Sequence, residues 1–135
     1  MVEPAATMSV FRQFGLVFLF GGAGASLRVF LVGVIDRRLH QILPFAGTLV
    51  VNLIGCLAIG FFSAILPPPW RPIVLGGLLG GFTTYSAFGL LSWDLLEEGR
   101  LGAASGQVLI HLIGGLLCVV LGLWLGRMVA GPPKI

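Results

Sequence analysis

Polar side chains that could hold an ion stand close together in one otherwise apolar stretch, Gly76 to Phe88. The stretch reads GGLLGGFTTYSAF and lies within an uncharged run of 22 residues, Pro72 to Trp93, which is long enough to cross a bilayer. Two glycine pairs, followed by the polar residues TTYS at 83–86, predict a break in the helix. A helix broken at membrane depth leaves backbone groups unpaired, which is tolerated only where they are buried in protein or line a wet cavity or an ion site. The sequence therefore predicts an ion site at this break.

A second polar position lies in the segment GTLVVNLIG at residues 47–55. Asn52 falls near the centre of an apolar run, and Thr48 lies four residues earlier on the same helix face. An amide buried in lipid is costly unless it has a partner. Asn52 therefore either forms a hydrogen bond between helices or donates from the lining of a pore. Our prediction is the pore-lining donor.

Three further polar residues have more than one possible role. Arg28, near the end of the first apolar segment, either extends its charge to the membrane surface or anchors the mouth of an anion path. Gln107 and His111 lie one helical turn apart in the last apolar segment. His111 could be a ligand or a proton carrier, but we expect a hydrogen-bonded packing role.

The composition requires membrane helices to carry these positions. Of the 135 residues, 57% are hydrophobic and 10% are charged, and the mean hydropathy of +1.06 is far outside the range of soluble domains. Three uncharged runs and an apolar stretch near Phe14 predict an all-α integral membrane protein with four transmembrane helices. We expect one domain with helices at residues 9–35, 44–66, 70–98 and 101–129. Pro44 should open the second helix, and the third should be broken near residues 80–84.

Several function classes are disfavoured by the same composition. The net charge of +3 comes from a few residues at helix ends, so it carries no nucleic-acid footprint. The spans do not offer side chains from which a nucleophile, a base and an orienting group could be assembled, so we expect no enzyme. Cys56 and Cys118 both fall in apolar spans, where they are most simply small packing residues.

The basic residues are almost evenly divided between the two sides of a four-span chain. Arg12, Arg71, Arg127 and Lys134 fall on one side, and Arg37, Arg38 and Arg100 on the other. Because this difference gives almost no positive-inside bias, we expect the chain to insert in both orientations. The natural assembly of such a chain is an antiparallel dual-topology homodimer with its two-fold axis in the membrane plane.

Three motifs on these spans, taken in order, resemble the Fluc family of fluoride channels, also called CrcB. They are GGAGASLR at 21–28, GTLVVNLIG at 47–55 and GGFTTYSAF at 80–88. The resemblance covers most of the chain up to Phe88 and is weak in the last helix. It implies an antiparallel homodimer in the plasma membrane, with two narrow pores that pass fluoride passively out of the cell and reduce its toxicity in the cytoplasm.

The resemblance also implies roles for individual residues of the pore. Asn52 resembles the pore asparagine of the family, and Phe88 resembles one of two aromatic residues that face fluoride. Tyr85 takes the place of the other aromatic residue. Arg28 resembles the arginine at the pore vestibule.

A structural sodium ion at the dimer centre is implied in the same way. Gly80 and Thr83 resemble the positions whose backbone carbonyls, contributed by both subunits, hold this ion. Such a cation would satisfy the carbonyls of a broken helix and make the interior favourable to an anion.

The chemistry of fluoride is consistent with these assignments. Fluoride is small and strongly hydrated, so a dry selective pore must replace its water with hydrogen-bond donors. The positive ring edges of aromatic residues can add to these donors. The expected donors are the Asn52 amide and the hydroxyl groups of Thr48, Thr84 and Ser86.

The sequence departs from the family pattern at two positions. Tyr85 stands where the family usually has phenylalanine, and Leu91 stands where a glutamate is often found.

Two other functions compete with the channel. A dual-topology small multidrug transporter would need a carboxylate within the membrane, but the first helix has only Asp36 at its end. A non-transporting assembly subunit would leave Asn52 and the polar residues 83–86 without a role.

Overall fold

The computed structural model describes residues 8–39 and 41–131, and every regular element in those ranges is a helix. The first span is α1 (Val10–Leu39) and the second is α2 (Ala46–Ile65). The third and fourth spans cover Pro68–Glu97 and Leu101–Ala130. All four are long and apolar enough to cross a membrane, which confirms the prediction of an all-α chain with four membrane-spanning helices.

The first span is longer than its apolar pattern indicates. α1 continues to Leu39, beyond the predicted end at residue 35, and includes Arg37 and Arg38 in its last turn. Basic side chains at this end of a helix are stabilised by the negative end of its dipole. Arg37 and Arg38, which were expected in the connection between the first two spans, therefore extend the first helix. His40, also expected in this connection, lies outside the described residues.

The second span begins with a cap supplied by the first. α2 starts at Ala46, and Pro44, expected at the start of this helix, lies in the turn that precedes it. The Asp36 carboxylate accepts a hydrogen bond of 2.9 Å from the backbone amide of Gly47. A carboxylate is stabilising at the start of a helix because it satisfies a free amide and complements the positive end of the dipole.

The third span is assembled from several pieces. A 3₁₀ turn, Pro68–Trp70, precedes a π-helical segment, Pro72–Leu79. The short α3 (Gly80–Phe82) follows this segment, and α4 (Tyr85–Glu97) completes the span. Between α3 and α4, Thr83 and Thr84 have extended backbones, with ψ angles of 160° and 110°. The Thr83 amide still donates to the Leu79 carbonyl, and helical hydrogen bonding is interrupted at the Thr84 amide.

The fourth span also contains a π-helical turn. α5 (Leu101–Leu109) leads into the turn Ile110–Gly114, and α6 (Gly115–Ala130) follows. Single π-turns within α-helices are often found at functional sites, because they reorient the side chains that they carry. His111 lies in this turn.

Glycines allow the spans to approach at backbone distance. α1 packs against the pieces of the third span that precede the break, and α2 packs against α6. A Cβ atom at Gly24 would overlap the carbonyl oxygen of Leu78, and one at Gly122 would overlap that of Leu57. The first and fourth spans therefore pack closely against their neighbours at these two glycines.

A buried apolar cluster joins α2, α4 and α5 at one end of the molecule. It contains Phe45, Leu49, Leu95 and Ala104, and Leu91 packs against it. This cluster holds α4 against α5, so the residues that follow the break face the fourth span. Cys56 and Cys118 are both free.

Candidate ion site

A cavity of about 260 Å³ lies beside the break in the third span. It is bounded by α2, by the residues on both sides of the break, and by the π-helical turn of the fourth span. Its lining combines hydroxyl, amide, aromatic and apolar groups, a mixture typical of small-ligand sites. The lining residues are Asn52, Gly55, Cys56, Ile59, Leu79, Thr83, Thr84, Tyr85, Phe88, His111 and Leu112.

Asn52 connects α2 to the break by two hydrogen bonds. Its Nδ2 donates to the carbonyl oxygen of Thr84 at 3.1 Å, and its Oδ1 accepts from the amide of Thr84 at 2.9 Å. Oδ1 thus replaces the helical acceptor that the Thr84 amide lacks, and Nδ2 adds a donor to the Thr84 carbonyl, which as the carbonyl of an N-cap residue already accepts within α4. Nδ2 carries two hydrogens, and the bond to Thr84 uses only one of them, so the second can be donated to another group. The interhelical bond and the donor role considered for Asn52 are therefore compatible.

Thr84 starts the helix that follows the break. Its backbone is extended, and its Oγ1 accepts a hydrogen bond of 3.2 Å from the amide of Ala87, as expected of an N-cap threonine. The same hydroxyl lies 3.3 Å from the hydroxyl of Ser86. The side chain of Ser86 is exposed and does not line the cavity. These bonds fix the orientation of the first turn of α4.

Near the break, the amides that would normally donate to two backbone carbonyls of the helix donate to other acceptors instead. In a continuous helix, the carbonyl of Gly80 would accept from the amide of Thr84, and that of Thr83 from Ala87. Here the Thr84 amide donates to Asn52, and the Ala87 amide donates to the Thr84 hydroxyl. The carbonyls of Gly80 and Thr83 are therefore not used by those amides.

Arg28 also bonds to the backbone near the break. Its Nε donates to the carbonyl oxygen of Gly81 at 3.2 Å, and the side chain is partly buried. The carbonyl next to that of Gly80 thus accepts a hydrogen bond from a cationic side chain of α1. Arg28 does not line the cavity.

Aromatic rings form one wall of the cavity. The ring centroids of Tyr85 and Phe88 are 5.5 Å apart, and those of Phe88 and His111 are 4.7 Å apart. The side chain of Tyr85 is 83% exposed, so the cavity is open on this side. Phe88 is partly buried between two aromatic neighbours.

The residues named from the sequence fall into two groups. Asn52, Thr83, Thr84, Tyr85 and Phe88 lie together in the cavity lining. The remaining four do not line it: Thr48, Gly80, Ser86 and Arg28. Of these, Thr48 is buried within α2 and 5% exposed.

Two residues of the fourth span belong to the site's surroundings, although for His111 we expected a packing role rather than that of a ligand or proton carrier. Gln107 is fully buried, and its Nε2 donates to the carbonyl oxygen of Phe88 at 3.1 Å and to the Ser92 hydroxyl at 3.2 Å. His111 lines the cavity and bonds through Nδ1 to the carbonyl oxygen of Gln107 at 2.9 Å. Their spacing of one helical turn was the available signal, but it did not identify Phe88 as their partner.

The fold and the site together define a multi-pass membrane protein with a cavity of mixed lining beside an interrupted span. Residues 15–123 match the family described as CrcB-like protein, Camphor Resistance (CrcB). The chain belongs to this family.

Individual relatives agree with this assignment over nearly their whole length. The chain is 42% identical to the fluoride-specific ion channel FluC of Dichelobacter nodosus over 123 residues, which are 86% of this chain and 98% of that protein. It is 38% identical to FluC of Chloroflexus aurantiacus, over 86% of this chain and 97% of the relative. FluC of Paracoccus denitrificans is 41% identical over 79% of this chain and 89% of its own length.

Proposed function

We propose that this protein is a fluoride-selective ion channel that lets fluoride leave the cell passively across the plasma membrane and so reduces fluoride toxicity in the cytoplasm. The observation that carries the proposal is the 42% identity to a fluoride-specific channel over 98% of that channel's length. The chain acts as a transporter of an ion and not as an enzyme. Its substrate passes through without a change in covalent bonding.

The cavity supplies the chemistry that a dry fluoride path needs. The second hydrogen of Asn52 Nδ2 is available to an anion, while the bonds to Thr84 hold the amide in one orientation. Phe88 and Tyr85 border the same space and can present positive ring edges. Fixed donors and ring edges replace the water that fluoride loses on entering. Thr48 and Ser86 lie outside this lining and would contribute only at other positions along the path.

The broken third span provides a site for a structural sodium ion. The carbonyls of Gly80 and Thr83 do not accept from their usual helical partners, because the amides of Thr84 and Ala87 donate elsewhere. Carbonyl oxygens at helix breaks are suitable ligands for sodium in membrane proteins. Replacing sodium by a large organic cation throughout purification should lower fluoride flux; equal flux in sodium-free protein would contradict this site.

The channel assembles as an antiparallel homodimer. In a bilayer, the polar groups of the cavity must be covered by protein, yet Tyr85 is 83% exposed in the single chain. A second copy of the chain in the opposite orientation would cover this side and bring two sets of sodium ligands together. The near balance of basic residues across the membrane favours that arrangement.

Arg28 anchors the entrance of the path. Its bond to the Gly81 carbonyl holds the guanidinium against the third span, at the level of the break. This contact supports the anchoring role over a side chain that merely extends to the membrane surface. A positive charge at this position attracts fluoride toward the entrance.

The competing carrier function is disfavoured by the position of Asp36. A proton-coupled multidrug transporter needs a carboxylate that is free to bind protons and a cationic drug in turn. The Asp36 carboxylate instead bonds to the Gly47 amide at the start of α2. This carboxylate has a structural role as a helix cap.

Growth in fluoride tests the proposal in cells. A bacterial strain made sensitive to fluoride should regain tolerance when it expresses this chain, because passive efflux lowers the cytoplasmic concentration. The Asn52→Ala variant, expressed at the same level, should give no protection. Protection by neither protein, with both present in the membrane, would contradict the proposed function.

A further inference from the structure

We propose that the fourth span positions the aromatic ring of Phe88 through Gln107 and His111, and that this pair thereby sets the rate of fluoride passage. The inference rests on the proposed channel function. It adds two residues of the fourth span to the ion path as positioning residues, acting through Phe88 rather than by contact with the ion.

The first part of this arrangement holds the backbone of Phe88. Its carbonyl oxygen accepts from the Ser92 hydroxyl at 2.8 Å and from Gln107 Nε2 at 3.1 Å. The hydroxyl bond alone is a common contact within a helix. The bond from Gln107 comes from another span, so it fixes the position of Phe88 along the membrane normal relative to α5.

The second part holds the ring. The His111 ring centroid is 4.7 Å from that of Phe88, and the two planes are tilted by 46°. His111 is itself held, because its Nδ1 bonds to the carbonyl oxygen of Gln107 at 2.9 Å. A carbonyl can only accept, so Nδ1 carries the hydrogen in the neutral ring. The tautomer and the plane of the imidazole are therefore both determined by Gln107.

The polarity of Gln107 indicates that this arrangement is not simple packing. Gln107 is fully buried, and its Oε1 makes no hydrogen bond within the described residues. Leucine would fill a similar volume without an unpaired polar atom. The glutamine side chain is justified by what its Nε2 holds, namely the Phe88 carbonyl and the Ser92 hydroxyl.

The position of Phe88 matters because its ring borders the cavity. An anion interacts favourably with a ring edge and unfavourably with a ring face. A ring free to rotate would present its negative face for part of the time and slow the ion. With Tyr85 and His111 as ring neighbours, at 5.5 and 4.7 Å, this rotation is restricted.

The test compares fluoride flux through purified protein in liposomes for four chains. His111→Leu removes the ring at similar volume, and His111→Phe keeps a ring against Phe88 without the hydrogen bond to Gln107. Leu116→Ala is the matched control on the same span, since Leu116 is 66% exposed and does not line the cavity. Each variant must elute at the size of the unaltered protein.

We expect His111→Leu to reduce maximal flux by about fivefold or more, with a smaller change in the half-saturating fluoride concentration, because the ring acts on passage rather than on binding. His111→Phe should conduct at least about threefold faster than His111→Leu, and Leu116→Ala within about twofold of the unaltered chain. A smaller loss in His111→Leu, or equal losses in the leucine and phenylalanine variants, would overturn the proposal.

A measurement without flux separates this inference from the channel function. The nuclear magnetic resonance signals of the Phe88 ring, assigned by comparison with Phe88→Leu, should shift in His111→Leu and remain in place in Leu116→Ala. Absence of a shift would overturn the positioning contact even if the protein conducts. If the unaltered chain passes no fluoride while the ring signals shift, the channel function fails and the contact stands.

Discussion

Both ends of the Asn52 amide bond to Thr84, so this one side chain holds the break in place while it borders the cavity. Removing it should affect conduction far more than assembly. We expect Asn52→Ala to lower fluoride flux by at least about hundredfold, because a dry path loses its fixed donor. The two lost hydrogen bonds should also reduce stability by about 1–3 kcal/mol.

The control for Asn52 is a lipid-facing residue of the same helix. Ile54→Ala should leave flux within about twofold, since Ile54 is 47% exposed and does not line the cavity. Flux and melting temperature in detergent are measured on dimer fractions. Full flux in Asn52→Ala would remove this residue from the path.

Tyr85 tests whether the aromatic wall acts through ring edges or through a hydroxyl. The phenylalanine variant keeps the ring at 5.5 Å from Phe88 and loses only the oxygen. If the ring edge is what the ion meets, Tyr85→Phe should conduct within about threefold of the unaltered chain. A loss of tenfold or more, at unchanged dimer content, would show that the phenol donates to the ion, a contribution of about 1–3 kcal/mol.

The sequence made the polar residues of the site conspicuous, but it did not indicate which of them would meet. Asn52 and Thr84 stand out because amides and hydroxyls are rare at membrane depth. Helical spacing puts Thr48 on the same face as Asn52, but one face of a helix can pack against several other helices along its length. Thr48 is buried and does not line the cavity. The link from Gln107 to Phe88 joins two spans, and no local pattern encodes it.

At the scale of elements, the Asp36 cap connects the end of α1 to the start of α2. Asp36→Asn keeps an oxygen that can accept from Gly47 and should retain both stability and fluoride flux. Asp36→Ala should destabilise the protein by about 0.5–2 kcal/mol, because the Gly47 amide loses its partner. Melting temperature and flux are measured on both variants. Loss of transport in the asparagine variant would instead favour a proton-coupled carrier.

The four spans could be predicted because long apolar runs have few alternative structures in a bilayer. Their ends were less predictable: Arg37 and Arg38 look like a connection but extend α1, and Pro44 precedes α2 by a turn. The π-helical pieces at Pro72–Leu79 and Ile110–Gly114 were not predicted. They depend on how neighbouring spans press on the backbone, which hydropathy does not record.

At the scale of the whole molecule, orientation in the membrane is the property on which the proposed homodimer depends. The chain should insert in both directions, because its basic residues are nearly balanced across the bilayer. A reporter fused to the C-terminus should then signal from both sides of the membrane. Adding two lysines to the loop between the second and third spans, which would make the basic residues six against three, should convert the signal to one side. A single-sided signal from the unaltered chain would contradict the antiparallel dimer.

Fluoride efflux from liposomes that contain the purified protein tests the central claim most directly, with chloride efflux from the same liposomes as the comparison. We predict that fluoride leaves much faster than from protein-free liposomes and at least about hundredfold faster than chloride, because the donors of the cavity fit the smaller and more strongly hydrated ion. Equal rates for the two anions, or no fluoride efflux above the protein-free rate, would contradict the account.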